Sequence, residues 1–322
     1  MGRLLAANIL TKPTGIRFYA REMAITVAQL TAFLAVMRGG SVTAAADELV
    51  VTQPSVSAAV AALGRELQCD LFERFGRGIQ PTEAGAAFAP YAADVIGLLE
   101  KGRRSAREAA AAAARRLRIA AVTTAAESFV PPLMRSFSDA HPDVELILEV
   151  GNRDDVLRWV LDHAVDVAIS GRPPADDRLA AQPLMDNEIV CITAPDDAAT
   201  RRRSIDASEL AGRAWLLREK GSGTRALNDQ FLAEHSLEPA TLTLGSNGAI
   251  KQAARAELGV SLLSRAAVAT ELEAGLLAEL RLKDLPPPRP WFVLRSAVGP
   301  VRPAVEEFVS FVQASVGGRR RG

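Results

Sequence analysis

Two cysteines, Cys69 and Cys191, in 322 residues are too few for a disulfide scaffold, and their spacing fits no metal-ligand pattern. Histidine is nearly as scarce: His141, His163 and His235 lie far apart, which argues against a histidine-rich metal site. No apolar run reaches the roughly 18–20 residues needed to cross a bilayer. Leu4–Leu10, broken by Asn8 and followed by Lys12, lacks the small-residue cleavage site of a secretory signal. Nor is there an excess of charge of one sign. Thirty-eight basic and 38 acidic side chains cancel to zero, which excludes a uniformly basic nucleic-acid coat but not a local basic patch. With 48% hydrophobic and 24% charged residues the composition is globular. A soluble, cytoplasmic protein with no membrane partner, no metal and no cofactor is expected.

The length suggests two or three domains. Residues 1–24 stand apart: Arg3, Lys12, Arg17 and Arg21 face only Glu22, while Pro13 and Gly15 break any helix. They read as a mobile N-terminal extension, with Met23 as an alternative start. Glu83–Ala114 is alanine-rich and favours one long helix. Its Phe88, Tyr91, Val95, Leu98 and Leu99 form an apolar stripe that must be buried, most economically against a second copy of the chain, with the first four assigned to dimerisation. From Leu117 onward, apolar runs alternate with helical windows: Leu117–Val122, Val144–Val150, Val165–Ser170, Ile189–Thr193, Trp215–Leu217, Thr241–Leu244 and Val260–Leu263. Such alternation predicts βαβ units, a parallel sheet covered on both faces, and ligand chemistry at the carboxyl ends of the strands.

Ser41–Leu67 reads SVTAAADELVVTQPSVSAAVAALGREL. Val42–Leu49 is a short helix whose Ala44, Ala45 and Ala46 let a second helix cross closely, as a tight helix-turn-helix requires. Val50–Val51 makes the turn, Thr52 is placed to cap the next helix, and Pro54 falls in its first turn, where a missing N–H costs nothing. Val56, Val60, Leu63 and Leu67 form a core stripe and leave Gln53, Ser55 and Ser57 facing outward. In a recognition helix those positions meet base edges, and glutamine bonds bidentately to adenine. LFERFGRGIQPTEAG (Leu71–Gly85) then reads as a wing hairpin with Arg74 and Arg77 at its tip, followed by a capping Thr82.

These motifs together resemble the LysR-type transcriptional regulators. Gly40-Ser41, Ala45-Ala46, Leu49, Thr52-Gln53-Pro54-Ser55-Val56-Ser57, Leu71-Phe72-Glu73-Arg74 and Thr82-Glu83-Ala84-Gly85 follow the family pattern in order. The resemblance implies a sequence-specific regulator that contacts double-stranded operator DNA through Thr52, Gln53, Pro54, Ser55, Ser57, Arg74 and Arg77. It further implies homodimers that pair into homotetramers, and RNA polymerase as a partner. One departure is notable. Where the family usually carries arginines after the second serine, this chain has Ala58, Ala59, Val60, Ala61 and Ala62. Between Met23 and Pro81 four arginines face five acidic residues, a net of −1, so a single module should bind DNA weakly.

Downstream, LLREKGSGTRALNDQF (Leu216–Phe231) runs a strand into a glycine-containing loop and a helix start, with Arg218, Lys220 and Arg225 around it. Free N–H groups and the helix dipole make Ser222, Gly223, Thr224 and Arg225 an anion cradle without Walker spacing. Two further strand-to-helix junctions offer Thr123 and Thr124, and Ser246 and Asn247; all three could converge on one cleft. GSGTR followed by GSN-x-AIKQA is similar to the regulators of carbon-fixation operons and of sulfur or sulfite metabolism. That likeness implies an α-helical winged helix-turn-helix domain (25–82), a dimerisation linker helix (83–115), and an α/β two-lobed, periplasmic-binding-protein-like effector domain (116–316). Lobe one would hold 117–194 plus 290–316, lobe two 195–289, with a basic tail at 317–322. The expected effector is a small anionic metabolite.

Other classes are weaker fits. Ser222 has no neighbouring histidine, and the paired acids Asp154-Asp155 and Asp176-Asp177 are adjacent rather than opposed, so an enzyme on this fold has no catalytic set. A redox regulator would need Cys69 and Cys191 to meet, although Cys191 sits inside a strand and Cys69 in a loop of the DNA-binding segment. A solute-binding protein would lack Ser41–Leu67.

Overall fold

The computed structural model describes residues 25–76, 78–110 and 115–317. The predicted N-terminal extension, Arg77 and the basic tail from 318 lie outside the described residues. The chain divides into two compact units, Met1–Ile96 and Gly97–Gly322. The division falls inside a helix rather than at residues 82/83, because the first half of that helix packs into the core of the first unit.

In the first unit, α1 (Val27–Gly39) begins with a capping box: Thr26 Oγ1 accepts from Gln29 N, and Gln29 Oε1 from Thr26 N. Ser41 caps α2 (Val42–Leu49) through Ala44 N at 3.1 Å, and Thr52 caps α3 (Gln53–Leu67), whose first turn holds Pro54. Ala45 and Ala46 are buried where the helices cross. A hairpin of β1 (Phe72–Phe75) and β2 (Gly78–Pro81) follows, then α4 (Glu83–Ala110), capped by Thr82 Oγ1, which accepts from Gly85 N at 3.0 Å. A side chain at Gly85 would put its Cβ 2.1 Å from the Leu71 carbonyl, so only glycine lets α4 lie this close. Phe33, Leu63, Leu71 and Ala92 form the core beneath.

The second unit is two-lobed. Its chain order is β3 (Arg115–Val122), α5 (Thr123–Ala126), α6 (Val130–Ala140), β4 (Val144–Gly151), α7 (Arg153–Leu161), β5 (Val167–Ser170), β6 (Leu179–Asn187), β7 (Ile189–Thr193) and β8 (Trp215–Arg218). It continues with α8 (Gly223–Glu234), β9 (Thr241–Leu244), α9 (Asn247–Arg255), β10 (Ser261–Ser264), α10 (Arg265–Glu273), β11 (Ala278–Leu280), β12 (Arg289–Ser296) and α11 (Pro303–Gly317). Lobe one is a five-stranded sheet in the order β4-β3-β5-β12-β6. Lobe two holds the sheet β10-β7-β11 and the pair β8-β9. No helix among the described residues is long and apolar enough to cross a membrane.

Two sequence expectations need correcting. The sheet is not wholly parallel: β3, β4 and β5 are, but β12 runs antiparallel to β5 and β6, and β7 is antiparallel to both its neighbours. The lobe boundary also moves. β7 belongs to lobe two, so the chain crosses at Glu188 and returns before Arg289, instead of crossing at 194/195 and 289/290. The predicted strands leave out β6, β11 and β12, and the one that shifts the crossing is β6, whose Gln182, Pro183 and Asp186 hide its strand character. It is an edge strand, where a proline without an N–H is tolerated.

Candidate functional site

Apart from Arg65 in its last turn, the outward face of α3 carries no charge. Thr52, Gln53, Pro54, Ser55, Ser57, Ala58 and Ala61 are exposed, while Val56 anchors the helix in the core. The Thr52 and Ser55 hydroxyls bond to each other at 2.8 Å, which fixes the first turn and leaves Gln53 and Ser57 as its projecting polar groups. Arg74 is exposed on β1; Arg77 is not described. Between α2 and α3, Val50 takes a left-handed conformation (φ 55°) with its side chain 89% exposed.

The apolar stripe of α4 splits. Phe88 turns inward, its ring 5.6 Å from Phe33, and Leu98 is half-buried over Gly299. Tyr91 and Val95 remain 69% and 52% exposed, joined by Leu99. Two of the four residues assigned to dimerisation are thus occupied within their own chain, Phe88 in the core of the first unit and Leu98 against Gly299 of the second.

Between the lobes of the second unit lies a cavity of about 550 Å³. Three parallel strands of lobe one deliver residues to it at their carboxyl ends: Thr123 and Thr124 after β3, Asn152 and Arg153 after β4, and Ser170 and Arg172 after β5. Lobe two contributes Arg218, Ser222, Gly223, Thr224 and Gln230, and the returning segment adds Arg289 and Trp291. The lining contains four arginines and no carboxylate. Helix α8 starts there without a side-chain cap, so its first N–H groups and positive dipole end face the cavity. Ser170 is fully buried in the wall, and its Oγ has no hydrogen-bond partner among the described residues. Gly221, at φ +86°, brings the α8 loop against α7. Its carbonyl accepts from Asp154 N at 3.3 Å, and a Cβ there would sit 3.0 Å from Asp154 Oδ2.

Of the eight predicted effector contacts, Thr123, Thr124, Ser222, Gly223 and Thr224 line the cavity, and Arg225, Ser246 and Asn247 do not. Ser246 spends its hydroxyl capping α9 through Ala249 N, and Arg225 turns to Asp229 and the Arg218 carbonyl. Asn247 stands directly behind the wall, bonded to both Thr124 and Arg218. Arg218 itself is buried and held bidentately by Glu219. Sequence reasoning missed Asn152, Arg153, Ser170, Arg172 and Arg289. The rule that located Thr123 also applies at the ends of β4 and β5, so the first four were within reach.

Cys191 is fully buried, and loss of solvation pushes its thiol up to about 12, far from thiolate chemistry at neutral pH. No group of three or more metal-ligating side chains occurs among the described residues.

Two family models match this chain. "LysR substrate binding domain" covers residues 110–317, and "Bacterial regulatory helix-turn-helix protein, lysR family" covers residues 27–86. The HTH-type transcriptional regulator CbbR of Rhodospirillum rubrum is 34% identical over 288 residues, 89% of this chain and 95% of the relative. The RuBisCO operon transcriptional regulator of Allochromatium vinosum is 33% identical over 296 residues, 90% and 96% of the two chains. A solved structure, the CcmR regulatory domain of Synechocystis PCC6803 in complex with 2-PG, matches with a TM-score of 0.59 at 32% identity, over 62% of this chain and 97% of that one.

Proposed function

This chain belongs to the LysR family of transcriptional regulators, and on that footing we propose that a small anion bound between its lobes sets its activity on operator DNA. The observation that carries this reading is the lining: Arg153, Arg172, Arg218 and Arg289 without one carboxylate, beside an uncapped helix start. Glu219 balances the charge of Arg218, so the wall favours negative charge through its other guanidinium groups and through oriented N–H groups. The similarity to a regulatory domain solved with 2-PG supports the same class and makes 2-PG the first ligand to try. Because the contacts come from both lobes, the anion prefers one lobe arrangement, the condition for any ligand to shift an equilibrium.

On the DNA side, Gln53 and Ser57 read base edges in the major groove, Ser55 fixes the helix start, and Arg74 contacts phosphate. Two copies pair through Tyr91, Val95 and Leu99 of α4, and pairing supplies the affinity that a module of net charge −1 lacks. The assembly acts in the cytoplasm, on RNA polymerase, at operons of the carbon-fixation kind. Selection from a random duplex pool, followed by competition with every single-base variant of the selected site, tests the reading. Gln53→Ala should lose about 1–3 kcal/mol of discrimination at one position of each half-site. Arg74→Ala should weaken all sequences alike and flatten the salt dependence.

A further inference from the structure

Asn247 is fully buried at the first turn of α9 and joins the two lobes behind the cavity wall. Arg218 Nη1 donates to its Oδ1 at 2.8 Å. Its Nδ2 donates to Thr124 Oγ1 at 3.0 Å and to Glu127 Oε2 at 3.2 Å. The two ends of an amide have nearly the same shape, but these partners decide between them. A guanidinium can only donate and a carboxylate can only accept. Turning the amide over would set N–H against N–H at Arg218 and oxygen against oxygen at Glu127, so a single orientation survives. Thr124 Oγ1 lies on the N–H side and therefore accepts. With a lone pair engaged by Asn247, the hydroxyl proton points elsewhere, and Thr124 lines the cavity. Its Oγ1 has no other partner among the described residues.

We propose that Asn247 sets the hydrogen-bond polarity of the cavity, forcing Thr124 to present its proton to the bound anion, so that the site selects anions that keep no proton where they meet Thr124. This rests on the inter-lobe anion reading and adds a specificity to it. The same amide holds Arg218, so one buried side chain aligns a hydroxyl donor from lobe one and a guanidinium donor from lobe two. Every charged lining group is likewise a donor. A ligand O–H directed at Thr124 could be accepted only by its second lone pair, which would turn the Thr124 proton towards no acceptor, and a hydrogen bond would be lost. Asn247 is a positioning residue, since it stands behind the wall and acts through its neighbours.

Sulfate and phosphate separate the possibilities, because sulfate is acceptor-only across the neutral range while inorganic phosphate keeps at least one proton. Calorimetry on the full-length wild type should give sulfate at least about a 10-fold advantage over phosphate. Phosphate affinity should fall further from pH 8 to pH 6, as a second proton is taken up. The informative variant is Glu127→Gln combined with Asn247→Asp, which moves the carboxylate from one position to the other at constant net charge. The Thr124 hydroxyl then donates to the new carboxylate and offers lone pairs to the cavity. Sulfate affinity should drop about 10-fold, the preference should shrink to within about 3-fold, and the pH dependence of phosphate binding should flatten. Glu127→Gln alone leaves Arg218 holding the amide and should keep the wild-type preference. Thr124→Val should lose the preference and Thr124→Ser restore it, which tests the inference even if the double variant folds poorly. A double variant or a Thr124→Val protein with the wild-type sulfate preference would overturn the inference and leave the anion site standing. A wild type that bound neither anion nor 2-PG would overturn both.

Discussion

Ser170→Ala should split stability from binding. The Ser170 hydroxyl is fully buried in the cavity wall at the end of β5 and has no partner among the described residues. The protein itself makes no hydrogen bond to this hydroxyl among the described residues, so the fold draws no stability from it. Removing it should leave the ligand-free protein as stable as the wild type or up to about 1 kcal/mol more stable, since alanine leaves the shape of β5 unchanged. Ligand binding should move the other way. A hydrogen bond to a charged group contributes about 1.5–3 kcal/mol, which is about 10- to 150-fold in affinity. Urea unfolding reads the first quantity, calorimetry with 2-PG and sulfate the second. A variant destabilised by more than about 1 kcal/mol, or one that bound these anions as the wild type does, would refute the assignment of Ser170 as a waiting ligand donor.

Val50→Asn should stabilise the first unit by about 1 kcal/mol, because asparagine tolerates the left-handed turn that strains a β-branched residue and the valine side chain packs on little; thermal melts check it. Val95→Glu should yield monomers by light scattering without unfolding the chain, whereas Phe88→Ala should cost about 2 kcal/mol or more of stability through lost packing on Phe33. Arg213, with help from the Thr193 hydroxyl and Ala199 N–H, holds the Asp197 carboxyl well below the usual carboxylate range. The stability this adds is complete above the unfolded pKa of about 3.9 and is lost as pH falls below it. Asp197→Asn should therefore cost more at pH 7 than at pH 3 and flatten the acid limb of the unfolding curve.

Where local chemistry and tertiary packing agree, the fold is legible in the sequence. Thr26, Ser41, Thr52 and Thr82 each cap a helix start, and the cap residues with the alanine crossing suffice to place the helix-turn-helix. Apolar strands such as Ile189–Thr193 are equally plain. Edge strand β6 is not, since Gln182, Pro183 and Asp186 interrupt it, and only its pairing with the distant β12, which carries the apolar run Trp291–Leu294, makes it a strand. The same limit governs the site. Thr123, Thr124 and the α8 start follow from strand-to-helix junctions, but a junction does not reveal which way a side chain is spent. Ser246 goes to its own helix cap, and Asn247 goes to the far lobe. The α4 stripe fails for a related reason: apolar spacing marks positions that must be covered without saying whether the same chain covers them.

An anion in the cavity should alter the grip of the DNA face, and anisotropy on a selected duplex while 2-PG or sulfate is titrated measures that coupling. Coupling between distant sites of this kind is worth about 1–3 kcal/mol. Wild-type DNA affinity should therefore change by about 5- to 150-fold at saturating anion. Thr224→Val, which keeps its shape at the α8 start but loses a hydroxyl, should bind the duplex normally and respond weakly or not at all. Wild-type DNA affinity that stayed flat across the anion titration, or a Thr224→Val protein that responded in full, would contradict it.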